Sequence, residues 1–459
     1  AADEDGRWMV RLDPIESEVP LTVTISGSNE IVLSNVVIGD VWICSGQSNM
    51  VWPVARSLNA EDEIADANHP MIRLCQVQRA TAQEPIDEVA AQWQPCTPET
   101  VPNFSAVGYF FGRDLHEQTG VPIGLISTNW GGTPVEAWTS REKLAGDPAF
   151  QPLLESWQTR LAAYPEALAR YESETLPAWE KQVTEAREKG EQPPRKPSPP
   201  EGPDSPRRPG NLFNAMIHPL IPYGIAGAIW YQGEANAHGG VNGAWIYQRL
   251  FSAMIRDWRE RWGQGDFPFA WVQLANFRAV REEPGPSAWA DLREAQTRTL
   301  SLPATGMALA IDVGDAADIH PTDKQTVGHR LALWALATVY GQDVVYQGPT
   351  YESMDVEGSR IRIHFANING GLRRGVTDNA PYPSPLLGFQ IAGRDRRWVW
   401  ADAEIQGDTV LAWSDQVRNP VAVRYAWADN PVANLYNDAG LPAVPFRTDR
   451  WPLSTRPQQ

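Results

Sequence analysis

The sequence predicts an α/β protein: a doubly wound, mostly parallel sheet covered by helices on both faces in three layers, α/β/α, followed by a small antiparallel β-sandwich. Three observations carry this. From about Val36 short apolar runs alternate with amphipathic stretches of helical period. After Gly341 the alternation stops and short strand-like runs between turn residues take over. Before Val36 the chain shows only a few short alternating runs. The expected organisation is N-terminal strands over residues 1–35, a central domain over 36–345 and a C-terminal sandwich over 346–459.

In chain order, runs at 8–12, 21–25 and 31–36 suggest antiparallel strands. The apolar runs at 37–43, 72–77, 123–128, 225–231, 269–274 and 307–311 read as strands buried on both faces. Helical patterns at 105–118 and 244–262 lie between them, and another at 324–340 follows the last. Strands alternating with helices make a parallel sheet, and such sheets bind ligands at the carboxyl ends of their strands. Residues 150–190 are rich in Glu, Ala, Arg and Lys and read as helix, with breaks expected at Pro165 and Pro177. Residues 193–209 are dense in proline and charge, which builds no core. The block at about 150–210 therefore reads as an insertion that serves as a lid, a partner contact or decoration. Past Gly341, the runs at 360–365, 387–391, 398–405, 409–413 and 421–426 are the strands of the sandwich.

Composition narrows the partners. With 42% apolar and 21% charged residues over 459 positions the chain is ordinary globular material. No apolar run is long enough to span a membrane. A formal charge of −17 argues against nucleic acid, whose binders carry basic patches, and suits a neutral substrate. Twenty tryptophans are many for this length; burial is their default, and stacking on sugars the sharper alternative. Cys44, Cys75 and Cys96 match no metal motif, so no metal or cofactor is expected; one disulfide and three buried thiols are both open. The sequence begins at Ala1 without a basic and apolar leader, as expected if a signal peptide has been removed or was never there. The expected setting is secreted or periplasmic, and the oligomeric state is not legible.

The strongest motif is GDVWICSGQSNM, residues 39–50. A buried strand runs into Gly46-Gln47-Ser48-Asn49, which places Ser48 in the turn before a helix, where a hydroxyl stands exposed beside amide donors for an oxyanion. The plainer alternative is a serine helix cap. The Gly-x-Ser-x-Gly elbow of the α/β-hydrolases is absent here. A serine nucleophile needs a base. Among seven histidines, His320 follows the last strand of the sheet and precedes a helix beginning near Asp323. Asp318 lies two residues before it and could orient the ring. His218 and His238 are rivals. Two more loops leave strand ends. Residues 126–133 end in Trp130-Gly131-Gly132-Thr133, and residues 230–236 gather Gln232, Glu234 and Asn236. Both read as donor sets for an oxyanion, or more plainly as turn-shaping glycines and loop-satisfying amides.

As an ordered set, these blocks resemble the SGNH hydrolase superfamily, and within it the sialate O-acetylesterase and acetylxylan esterase group of carbohydrate esterases. Gly46 to Met50 looks like that group's nucleophile block, Asn129 to Thr133 its glycine block, Trp230 to Asn236 its third block, and Asp318-Ile319-His320-Pro321 with Lys324 its histidine block. Residues 292–296 and 211–216 are similar to further segments of these esterases. The resemblance covers residues 36–340 and implies an SGNH-type sheet, Ser48 as nucleophile and His320 as base. It also implies an oxyanion hole of the Ser48 and Gly132 amides with a side chain, Gln232 or else Asn236, and substrate contacts from Gln47, Trp130 and Glu234. The superfamily often sets its Asp three residues before the His, where this chain has Ala317. Asp318 takes the role at another offset, or a backbone carbonyl does. The N-terminal strands look too few for the separate β-domain of longer relatives, so packing on the C-terminal sandwich is expected.

The implied activity is removal of acetyl groups from acetylated polysaccharide or oligosaccharide of xylan or xyloglucan type, through an acetyl-enzyme. A sialate 9-O-acetylesterase is the alternative within the same chemistry. A carbohydrate-binding protein on an inactive hydrolase scaffold is the alternative of another class, weighed against by the presence of both Ser48 and His320. A glycosidase using Glu234 and Asp318 leaves the serine block unexplained.

Overall fold

The structure, a computed structural model, describes residues 4, 6, 8–10, 12–13, 15–17, 19–375 and 385–457. Strands β1 (Leu21–Ser26) and β2 (Glu30–Val36) form a separate antiparallel hairpin. Strands β3 (Asp40–Gly46), β4 (His69–Gln76), β5 (Trp93–Cys96), β6 (Ile123–Asn129), β7 (Gly227–Tyr231), β8 (Phe269–Val272) and β9 (Thr305–Ala308) form one sheet in the order β5-β4-β6-β3-β7-β8-β9. All neighbours are parallel except β5, which pairs antiparallel with β4 at the edge. The chain steps from β3 outward to β4 and β5, returns to β6, then crosses β3 to reach β7. The order therefore reverses around β3, and the crevice of such a sheet opens at that strand's carboxyl end. Gly46, the last residue of β3, pairs with Asn129 on one side and Tyr231 on the other, so three of the expected loops leave the sheet at one level.

The strands alternate strictly between two cores. Ile43, Ile126, Ala228, Trp230, Phe269 and Trp271 pack with helices Ala244–Trp262 and Ala288–Thr299. Trp42, Cys44, Leu125, Ile229, Ala270 and Val272 pack on the other face with helices Ala106–Thr119 and Lys324–Thr338. This is the three-layer arrangement the periodicity predicts. Local signals set the helix ends: Ser105 and Asp323 accept from amides of their own first turns, and Gly120 and Gly263 close helices in the left-handed conformation.

Three expectations need correction. The helix Gln151–Arg170 runs through Pro165, because one lost backbone hydrogen bond does not end a helix of twenty residues; the change of register comes at Tyr171–Thr175 instead. Pro177 sits in the first turn of the next helix, Leu176–Glu188, where its missing N–H costs nothing. The N-terminal hairpin lies not on the C-terminal sandwich but against the sheet's amino-terminal edge: Val32 to Val37 line a cavity with Met71, Arg73 and Trp93, and Arg73 Nη2 donates to Asn35 Oδ1 at 3.0 Å. Trp8, Met9, Val10 and Leu12 belong to no strand and are exposed.

The C-terminal region builds β10 (Thr350–Glu357), β11 (Arg360–Ala366), β12 (Leu372–Arg374), β13 (Phe389–Ala392), β14 (Trp398–Trp400), β15 (Asp402–Gln406), β16 (Thr409–Trp413), β17 (Ala422–Tyr425), β18 (Leu435–Asn437) and β19 (Phe446–Arg447). Two four-stranded sheets, β10-β11-β16-β15 and β14-β13-β17-β19, face each other, and β12 pairs with β18. Ile361, Ile363, Val410 and Ala412 of the first sheet share one core with Phe389, Ile391, Val423 and Tyr425 of the second. The run at 398–405 is two strands in different sheets, divided at Ala401. Cys44, Cys75 and Cys96 are all free and buried. Among the described residues no helix is long and apolar enough to cross a membrane.

Candidate active site

The turn that carries Ser48 depends on Gly46. Its φ is +137°, and a Cβ there would lie 2.2 Å from the Tyr231 carbonyl oxygen, so no other residue fits between β3 and β7. The turn then delivers Ser48, half-buried, at the start of the single-turn helix Ser48–Val51. Gln47 is buried rather than presented to a ligand: its amide donates to Tyr231 O at 2.9 Å, and its Oε1 accepts from the Ala235 amide at 3.2 Å. Gly131 packs directly on Ser48, since a Cβ there would sit 3.3 Å from Ser48 Cβ.

The histidine loop comes to the same rim. Asn49, next to Ser48, donates from Nδ2 to the carbonyl of Ile319, next to His320, at 3.1 Å. Trp52 stacks on the His320 ring with centroids 5.1 Å apart and planes at 20°. Asp318 Oδ1 accepts from the His320 backbone amide at 2.9 Å and lies 2.8 Å from Nδ1. A carboxylate on Nδ1 fixes the tautomer that carries its proton there and leaves Nε2 as the basic nitrogen. The His320 amide, with the ring's hydrogen bond, holds the Asp318 carboxyl below the usual range. The acid thus reaches the ring from two residues away, an offset the backbone turn accommodates.

Beneath these loops lies a buried polar chain. Lys324 Nζ donates to Asn49 Oδ1 at 2.6 Å, and Asn49 Nδ2 donates to Glu234 Oε1 at 2.6 Å. Burial pushes the Lys324 ammonium down to about 7, against the pull of Glu234, and raises the Glu234 carboxyl, against hydrogen bonding and Lys324. Glu234, half-buried, is engaged with Asn49 through Oε1. Its Oε2 has no hydrogen-bond partner among the described residues.

The glycine loop is pinned from several sides. Gly132 is left-handed at φ +73°, and its carbonyl accepts from Arg207 Nη1 at 2.7 Å. Gln232 and Asn236, expected as oxyanion donors, are fully buried with both amide hydrogens engaged. Gln232 Nε2 donates to Thr133 O at 3.2 Å and Asn236 Oδ1 at 2.8 Å. Asn236 Nδ2 donates to Glu136 Oε2 at 3.1 Å and Asn242 O at 2.8 Å. In this arrangement both amides brace the loops. Trp130 is half-buried with Arg79 above its ring at 5.8 Å, and Arg56 lies 3.9 Å from the Trp52 ring centroid. Asn49 and Lys324 stood inside the quoted motifs without a role. Arg56, Arg79, Arg207 and Glu136 left no sequence signal, because each meets its site partner only through the fold.

Comparison with known proteins identifies the family of the chain. The profile of the carbohydrate esterase family described as sialic acid-specific acetylesterase matches residues 38–172 and 207–337, skipping the second half of the insertion. The mouse sialate O-acetylesterase is 31% identical over 497 residues, covering 97% of this chain and 84% of the relative. The human sialate O-acetylesterase is 30% identical over 482 residues, covering 96% and 81%. The crystal structure of a carbohydrate acetylesterase from Xanthomonas citri superposes with a TM-score of 0.80 at 38% identity, covering 98% of this chain and 90% of that one. The chain belongs to the sialic acid-specific acetylesterase family of carbohydrate esterases, and it is a carboxylic-ester hydrolase.

Proposed function

We propose that this esterase removes acetyl groups from acetylated polysaccharide or oligosaccharide of xylan or xyloglucan type, with Ser48 as nucleophile, His320 as general base and Asp318 orienting the imidazole. Ser48 Oγ attacks the acetyl carbonyl while His320 Nε2 takes its proton, and the tetrahedral oxyanion is held by the amides of Ser48 and Gly132. Collapse expels the sugar alkoxide, which takes the proton from His320. Water, activated by the same nitrogen, then frees acetate from Ser48. The observation that carries this reading is the double tie between the two loops: Asn49 to Ile319 O at 3.1 Å, and Trp52 stacked on His320. The charge of −17 favours a neutral glycan, and half-buried Trp130 beside Gly131 offers a ring for sugar stacking.

A specific observation favours a second reading, a sialate 9-O-acetylesterase: Arg56, Arg79 and Arg207 come from three loops to the rim of an acidic protein, where they could meet a sugar carboxylate. Two of the relatives reported above carry the sialate name. Acetate release from acetylated xylan, acetylated xyloglucan oligosaccharides and O-acetylsialic acid, compared at equal enzyme, tests both. Fastest turnover of the neutral glycans supports the first reading, and turnover confined to the sialic acid replaces it with the second.

A further inference from the structure

The mechanism above, on which this inference rests, needs Asp318 and His320 held against the nucleophile turn. Yet the segment that carries them, residues 309–323, has no helix and no strand beyond an isolated bridge from Asp315 to Phe277. Besides its ties to Asn49 and Trp52, it is held at two points by contacts that lead to the C-terminal domain. At the upstream end, Asp312 accepts two hydrogen bonds from Arg330, each 2.7 Å, and a third from Tyr436 Oη of β18 at 3.1 Å. In the middle, the Gly314 amide donates to Asn276 Oδ1 at 2.7 Å, Asn276 Nδ2 donates to Asn430 Oδ1 at 2.9 Å, and Asn430 Nδ2 donates to the Arg278 carbonyl at 2.6 Å. The approach at Gly314 is close: a Cβ would lie 2.0 Å from Asn276 O. Asp315 then passes the constraint on, its Oδ1 accepting from the amides of Ala317 at 2.6 Å and Asp318 at 3.3 Å.

The anchor on the C-terminal side is itself locked. Fully buried Arg293 donates to the carbonyls of Leu274, Ala275, Ala428 and Asp429, which stitches the loop after β8 to the segment between β17 and β18. Asn276 and Asn430 are buried, so water does not compete for their amides. An unbroken chain of contacts thus runs from the sandwich to the acid and base of the site.

We propose that the C-terminal domain is a positioning element of catalysis: Tyr436 and Asn430 fix the segment that presents Asp318 and His320 to Ser48. The test uses the full chain and an activated aryl acetate, which reports the chemistry without sugar binding. Tyr436→Phe is expected to lower kcat about 3–10-fold and Asn430→Ala about 10–100-fold, with KM unchanged, because a displacement of 1 Å in a reacting group costs on the order of 10²-fold. Both also shift the acid limb of the kcat/KM profile, since a loosened Asp318–His320 contact changes the ionisation that limb reports. Asn430→Asp, which keeps an acceptor for Asn276, recovers part of the rate. Folded variants with wild-type kcat and an unmoved acid limb overturn the proposal. Should Asn430→Ala unfold, Tyr436→Phe, which removes one hydroxyl and keeps the ring, decides by the same readouts. His320→Ala separates the two claims: if it stays active, the assignment of the base falls; if it is dead while the other variants are normal, only the positioning role falls.

Discussion

Asp318→Asn removes a charge while keeping the size of the group that faces the ring. In the proposed mechanism His320 takes the serine proton and becomes an imidazolium whose Nδ1 lies 2.8 Å from Asp318 Oδ1. A unit pair with charge centres roughly 4 Å apart is worth about 1 kcal/mol in water and about 4 kcal/mol at the effective dielectric of a protein surface. The Asp318 side chain is 53% exposed and that of His320 24%, so the pair sits nearer the screened end. About 1–2.5 kcal/mol is then at stake in the transition state, or roughly 5–70-fold in kcat. That is far below the ~10⁴-fold lost when a buried triad aspartate is neutralised, because exposure lets solvent substitute. Steady-state hydrolysis of an activated acetate ester by the purified variant, with kcat and KM separated, measures it. Turnover within a factor of about two of wild type would mean that Asp318 does not support the imidazolium. A loss as complete as that of Ser48→Ala would mean that the electrostatic reasoning undervalues it.

Asn49→Ala strands Lys324 Nζ and Glu234 Oε1 in the interior and should lower the urea-unfolding free energy by about 2–4 kcal/mol, beyond its effect on turnover. Burial lowers the Lys324 pKa to about 7, so between that value and its unfolded pKa the unfolded state binds more protons and stability rises with pH. The difference in unfolding free energy between wild type and Lys324→Met should therefore move in favour of wild type as pH rises through this window. Gly132→Ala meets no neighbour within 4 Å but forces a left-handed alanine; the protein should fold while kcat falls by up to about 10²-fold through the displaced amide. If the rim arginines read a carboxylate, Arg79→Gln raises KM for O-acetylsialic acid and leaves KM for neutral acetylated oligosaccharides unchanged, as parallel kinetics on the two substrates would show.

Much of this was legible because the elements repeat a physical rule. Strands buried on both faces are continuous apolar runs, and Trp42-Ile43-Cys44 in β3 and Ala228-Ile229-Trp230 in β7 gave away both cores at once. Edge strand β5 was not legible: Trp93-Gln94-Pro95-Cys96 is mostly exposed and carries a proline, the pattern an edge tolerates and a periodicity search rejects. Four of the C-terminal strands were missed for a related reason, three of them being only two to eight residues of mixed exposure. In the site, residue types at strand ends singled out Ser48 and His320, but not how the side chains around them are engaged. Gln232 and Asn236 look like free amides in the sequence. Only the fold shows that Thr133, Glu136 and Asn242 take up their donors. Arg56, Arg79 and Arg207, far apart from one another in the sequence, each reach a different residue of the site, Trp52, Trp130 and Gly132, and nothing in a linear chain records such contacts.

The most direct measurement is where the acetyl group goes. Wild-type enzyme mixed rapidly with an activated acetate ester and quenched in acid should carry an acetyl group on the peptide that contains Ser48, with no label on Ser48→Ala under the same conditions. An acetyl group on another residue, or undiminished burst and turnover in Ser48→Ala, would contradict the account at its centre.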